Sequence, residues 1–101
     1  RFIFEGFLPA KKQERETRLQ ALRNESRTLV FYEAPHRLKE SLAALQRILG
    51  DRAIVVAREG SKIHEEFLRG SIEQVLTQLA EREVKGEITL VVRGAGGQAQ
   101  V

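Results

Sequence analysis

The stretch that most constrains this chain is Thr28-Leu29-Val30-Phe31-Tyr32-Glu33-Ala34-Pro35-His36-Arg37. Thr, Val, Phe and Tyr suit a pleated, half-buried strand. Pro35 has no N–H for a sheet ladder, so a central strand must end before it. A helix can begin there, because the first N–H groups of a helix lack partners within it. Leu38, Leu42, Leu45 and Leu49 then recur at helical spacing. The segment therefore reads strand, tight turn, helix. It presents Glu33, His36 and Arg37 at the carboxyl end of a strand and the amino end of a helix. In open α/β sheets, ligands bind at such ends.

The rest of the chain repeats this grammar. Phe2 to Phe4, or a little beyond, forms a first strand, punctuated by Gly6 and Pro9. Phe7 and Leu8, between those breakers, read either as a plug under the sheet or as a loop packing on a neighbouring domain. Residues 10 to 24 form a helix with a weak apolar stripe of Leu19, Leu22 and Ala21, with Glu14–Arg18 and Lys12–Glu16 at i,i+4. Lys11, Arg15 and Arg18 share one face of it, either solvated or set against an RNA backbone. The helix from Pro35 stops at Gly50. Arg52 to Glu59 is a strand whose run Ile54-Val55-Val56-Ala57 suggests cover on both faces. Glu66 to Gly70 returns beside it. Ser71 and Gln74 have the spacing of a capping box, the serine alone contributing about 1 kcal/mol. Ile72, Val75, Leu76 and Leu79 supply the stripe of that helix, and Glu87 to Arg93 is the last strand.

The 101 residues fit one domain, 42% apolar and 31% charged, with no apolar run long enough to span a membrane. Cysteine is absent, which removes disulfides and thiolate metal sites and fits a cytoplasmic protein. The net charge of +3 is compatible with an RNA partner without requiring one. Methionine is absent even at position 1, so the expectation is a domain taken from a longer reading frame, residues 1–94, with a flexible tail over 95–101.

Polar groups gather at two turns: Glu33, His36 and Arg37, then Arg58, Glu59, Ser61, Lys62 and His64. If the strands before them are parallel neighbours, both groups lie on one edge of the sheet. Each group also has a plainer reading: Glu33–Arg37 as a helix-entry ion pair, His36 as a surface or capping residue. The spacings of His36, His64, Glu33 and Glu65 match no metal motif, and no metal is expected. No nucleophile elbow, dinucleotide fingerprint or phosphate loop is present. The residues alone name no reaction.

Phe4-Glu5-Gly6-Phe7-Leu8-Pro9, Phe31 to Arg37, Ala57-Arg58-Glu59 with Lys62 to Glu66, Arg69-Gly70 and Gly86-Glu87 stand in an order and spacing that resemble a known family. They are similar to the C-terminal half of bacterial small-subunit rRNA ribose 2′-O-methyltransferases, in the tetrapyrrole-methylase-like superfamily. Members commonly read Arg-Glu-Leu-Thr-Lys where this chain has Arg58-Glu59-Gly60-Ser61-Lys62. The resemblance implies a mixed five-stranded sheet with three helices, order 1-2-5-3-4, strands 4 and 5 antiparallel to the rest. It implies S-adenosylmethionine as cofactor, held between this domain and an N-terminal one, and a cytidine ribose of small-subunit rRNA, or of the assembled small ribosomal subunit, as target. The isolated piece is then expected to be inactive.

By position, the resemblance puts Tyr32, Glu33, Ala34, Pro35, Val55, Ile88 and Thr89 at the cofactor. It puts His36, Arg37, Arg58 and Lys62, with Lys11, Arg15 and Arg18, at the RNA. Glu33 or Glu59 could take the hydroxyl proton. Superfamily members commonly pair, so a homodimer is expected. The alternatives are a stand-alone RNA-binding module, a dimerisation domain, or a related enzyme with another substrate. The RNA-binding module would need a surface of stacking aromatics, yet most of the five Phe and one Tyr occupy core-like positions.

Overall fold

The computed structural model describes residues 1–60 and 65–96. In chain order the elements are β1 (Phe2–Phe7), α1 (Lys12–Leu22), β2 (Thr28–Glu33), a 3-10 turn (Pro35–Arg37), α2 (Leu38–Leu49), β3 (Ala53–Glu59), β4 (Glu65–Ser71), α3 (Ile72–Leu79) and β5 (Glu87–Val92). They form one sheet in the order β1-β2-β5-β3-β4. β1 and β2 are parallel, while β5 runs antiparallel to both β2 and β3, and β4 antiparallel to β3. Strands 4 and 5 thus oppose the other three, as expected. β2 and β3 point the same way but are not neighbours, because β5 lies between them. Their carboxyl ends still share one edge of the sheet.

One face of the sheet carries the core. Leu29 and Phe31 of β2, Ile54 and Val56 of β3, Leu68 of β4 and Ile88, Leu90 and Val92 of β5 are buried with Leu19, Leu38, Leu42, Leu45, Ile72, Val75 and Leu79 of the helices. α2 buries Leu38, Ser41, Leu42, Ala44, Leu45, Ile48 and Leu49, a broad stripe at helical period. The capping box at α3 is made: Ser71 Oγ accepts from the Gln74 N–H, and the Gln74 side chain accepts from the Ser71 N–H. Leu8 is the plug, 2% exposed, whereas Phe7 faces outward.

The other face is open. Val55 and Ala57 are only half-buried, so β3 is covered on one side rather than both. Phe2, Phe4, Phe7, Tyr32 and Phe67 are all exposed, and Phe31 alone among the aromatics is buried. The expectation that most aromatics belong to the core is therefore overturned: the apolar runs of β1 and β3 look the same in sequence whether one face is packed or two. Neither i,i+4 pair of α1 appears among the ion pairs of the described residues. Glu16 instead meets Arg47 of α2 at 2.5 Å, and Arg18 lies 3.7 Å from Glu5 of β1. At the carboxyl end, the Ala95 N–H donates to the Glu25 carbonyl at 2.6 Å, so the chain is tied down at the start of the expected tail; 97–101 lie outside the described residues.

Candidate functional site

The turn after β2 is built around a buried carboxylate. The Glu33 side chain is fully buried. Its Oε1 accepts from Ser41 Oγ at 2.6 Å, and its Oε2 accepts from the Ala34 N–H at 2.9 Å and from Arg37 Nε at 3.2 Å. A buried carboxylate is tolerated only when paired and hydrogen-bonded. Here both oxygens are engaged, and the donors come from the turn and the second turn of the following helix. Pro35 opens the 3-10 turn, which the Arg37 N–H closes onto the Ala34 carbonyl at 3.0 Å. Glu33 thereby fixes the direction in which the chain leaves the sheet.

Beside this turn, at the edge where β2 and β3 end, lies an open cavity of about 620 Å3. Its lining includes Tyr32, Glu33, Ala34, Pro35, Ile88 and Thr89, six of the seven residues placed at the cofactor by position. Val55 is not among them. It lies one pleat period below Ala57 on the same strand, and Ala57 takes its place. Phe7, Glu59, Gly86 and Glu87 complete the wall. Gly86-Glu87 stands out in the motif match, but nothing in its spacing marks it as cavity lining. The reason for glycine is visible in three dimensions: a Cβ at Gly86, whose φ is +98°, would lie 2.2 Å from the Glu59 carbonyl oxygen. Glu59 and Glu87 pair across β3 and β5 and both are exposed, so the rim is acidic.

The residues expected at RNA are scattered. His36 and Lys11 are exposed. Arg37 lies over Glu33, its side chain 25% exposed. Arg15 has to be removed from the set: its side chain is 3% exposed, it pairs with Glu40 at 2.8 Å and donates to the Ala10 carbonyl. Its place on one face of α1 with Lys11 and Arg18 hid that inward turn. Arg58 has other work, donating to Glu66 at 3.0 Å and to the Lys85 carbonyl at 3.3 Å. Its side chain lies on the helix-covered face, turned away from the cavity. Glu66 also receives two bonds from Arg82, at 2.7 and 2.9 Å. Arg82 first, then Arg58, holds the Glu66 carboxyl at about 2, below its ordinary 4.5. Ser61, Lys62 and His64 lie outside the described residues. Among the described residues no group of three His, Asp or Glu side chains could hold a metal ion.

Two arginines are buried and structural, Arg15, which the sequence set at the RNA, and Arg52, which it did not single out. Arg52, 6% exposed, donates to the carbonyls of Leu49, Arg93 and Arg23. Leu49 ends α2 and Arg23 caps α1, so one guanidinium serves the negative ends of two helices.

Comparison with known proteins agrees with the fold. A methyltransferase of solved structure, CobJ, superposes with a TM-score of 0.64 at 16% identity, over 94% of this chain and 41% of that one. The fold is thus shared where the sequences have diverged. The Bacillus subtilis protein named Ribosomal RNA small subunit methyltransferase I is 48% identical over 97 residues, covering 96% of this chain and 33% of that protein. Its namesake from Synechocystis is 48% identical over 96 residues, 94% of this chain and 34% of that one. The Xylella fastidiosa strain 9a5c protein of the same name is 50% identical over 101 residues, 97% of this chain and 37% of that one. The chain spans about a third of the length of these relatives. The family described as Tetrapyrrole (Corrin/Porphyrin) Methylases matches from residue 1 to residue 97. Nearly the whole chain, sheet and cavity included, is therefore accounted for by one family, and the chain belongs to the tetrapyrrole methylases.

Proposed function

We propose that this chain forms one wall of the methyl-donor site of an S-adenosylmethionine-dependent enzyme that methylates a cytidine ribose 2′-hydroxyl in small-subunit rRNA. The observation that carries the reading is the cavity at the end of β2. Six of the seven residues that the rRNA methyltransferase resemblance puts at the donor line it together. The 48% identity to a protein named as a small-subunit rRNA methyltransferase supports that rRNA as the substrate; the cytidine ribose comes from the resemblance. The residues present fit the donor: Ala34, Ala57 and Gly86 leave room, Phe7 and Tyr32 offer apolar contact, and Glu59 and Glu87 suit a ligand bearing positive charge.

The bound donor supplies an electrophilic methyl group. The chain's own residues position it, and positioning accounts for much of the rate in such a transfer. Glu33 holds the turn and has no oxygen to spare, so it is a positioning residue. Glu59, exposed on the rim beside Glu87 and like it in no ion pair among the described residues, is a carboxylate available to accept the ribose hydroxyl proton. Pairing into a homodimer and a cytoplasmic location belong to this reading; no helix among the described residues is long and apolar enough to cross a membrane.

A chimera tests the reading. The part of the Bacillus subtilis protein that aligns with this chain is exchanged for it, and methylation of small-subunit rRNA is assayed. Restored methylation is expected, and a folded chimera that binds the donor yet leaves the rRNA unmodified would refute the substrate. The chain by itself offers only one wall, so calorimetric titration with S-adenosylmethionine should give weak binding or none. A low-micromolar dissociation constant would contradict the shared site.

A further inference from the structure

The open face of the sheet is not uniform. Along β1 and β2 it carries a ridge of rings: Phe2, Phe4, Phe7 and Tyr32 are 64%, 54%, 58% and 43% exposed. Tyr32 lies between two of them, 5.0 Å from Phe4 at an interplanar angle of 75° and 5.5 Å from Phe7 at 60°. A local irregularity makes this ridge continuous. Phe4 and Phe7 are three residues apart, an odd step that would send them to opposite faces of a regular strand. The register of β1 against β2 slips between Phe4 and Gly6, and Gly6 takes a φ of +74°. The extra residue restores the alternation, so Phe7 pairs with Tyr32 on the open face. Bulges re-aim side chains in this way next to binding sites.

Charge is segregated across the same face. Glu65, Glu59 and Glu87 stand in register on β4, β3 and β5. The β1–β2 side carries no carboxylate on that face, since Glu5 at the bulge pairs with Arg18 and Glu33 is buried under Arg37. The exposed His36 and the partly exposed Arg37 follow directly at the top of β2. Arg69, over the Phe67 ring on β4, is a cation on the carboxylate side, so it is the row of three carboxylates at the strand ends that repels a polyanion; the end of the face where Phe7 and Tyr32 stand has no such row.

We infer that the Phe4–Tyr32–Phe7 ridge is a stacking platform for unpaired bases of single-stranded RNA, leading substrate toward the cavity that Phe7 and Tyr32 also line. Sheets that display aromatic rings hold RNA in this manner, since every base has a face to stack. One ring would suffice for a donor's adenine, whereas three rings in a row extend beyond the cavity and suit successive bases. The inference rests on the RNA-substrate reading above and adds the surface that grips the strand.

The chain has one tyrosine, Tyr32, and no tryptophan, so its intrinsic emission reports from the ridge itself. Titration with a short single-stranded oligocytidylate should quench that emission. Phe7→Leu and Phe4→Leu keep the apolar bulk and remove the ring; each should weaken binding roughly 5- to 100-fold. Phe67→Leu, equally exposed on β4 but apart from the ridge and with its ring under Arg69, should leave it within about twofold. In the chimera, Phe4→Leu, whose ring belongs to the ridge but not to the cavity wall, should raise the KM for RNA with donor affinity unchanged. Several results would overturn the inference: no quenching by RNA; equal affinity of Phe4→Leu and wild type; or sedimentation showing that a second copy already covers the rings. A wild-type chimera that methylates while Phe4→Leu leaves the KM unmoved would sink the platform and spare the enzyme reading.

Discussion

At the scale of single residues, arginine decides more here than its frequency suggests. Arg52 gathers three backbone carbonyls: those of Arg23 and Arg93, 29 and 41 residues away on either side, and that of its near neighbour Leu49. Burial, and secondarily the Arg23 cation, lowers its hold on its proton, and the carbonyls at two helix ends offset that cost. Arg52→Met would leave those carbonyls without donors, and urea titration should show a loss of about 3 kcal/mol. Arg52→Lys should recover only part, because a point charge cannot serve three directions at once. An unchanged midpoint would mean that water replaces the guanidinium. Glu66 is the second case. Its folded-state pKa lies below its unfolded one, so the stability it contributes is complete above pH 4.5 and is lost as pH falls toward 2. Glu66→Gln should flatten the acid limb of the stability curve in that window and leave the neutral region less changed. A limb identical to wild type would assign acid sensitivity elsewhere.

Among the elements, α2 was the most legible. Its leucines at helical spacing, the proline before it and the glycine after it all agree with the structure, and Leu42 is fully buried in its stripe. Leu42→Ala should cost roughly 2–5 kcal/mol by chemical denaturation; a shift of a few tenths would show a site able to collapse around the gap. The last four strands were readable to within a residue or two, whereas β1 runs through Gly6 to Phe7 because a bulge carries the pairing past the glycine; α3 announced itself through Ser71 and Gln74. What could not be read was sidedness. Val55 and Ala57 alternate with Ile54 and Val56, and all four are apolar, so the run hides which pair faces helices and which faces outward. Long-range ionic partners were equally hidden: Arg15 finds Glu40, Glu16 finds Arg47, and Arg58 finds Glu66 with Arg82, contacts that no local spacing announces. The cavity was legible where it followed the ends of β2 and β5. Val55 is outside its lining, and Phe7, which is in it, could not be anticipated because its side depends on an irregularity visible only in the register.

At the scale of the whole molecule, the sheet order is the governing fact. β5 is the last strand in the chain and lies between β2 and β3, pairing with both. Without it the sheet falls into two separate strand pairs, β1–β2 and β3–β4, neither large enough to be stable alone. A chain ending at residue 86 should therefore show no cooperative thermal transition by circular dichroism, although more than four-fifths of it is present; a sigmoidal melt would refute the keystone role. The same arrangement bears on how the chain is made. Synthesis proceeds from the amino end, so the first four strands emerge with a gap at their centre that only the closing segment can fill. Until that segment has cleared the ribosome, the inner edges of β2 and β3 remain open to any strand that reaches them, and closure comes as one late event rather than strand by strand.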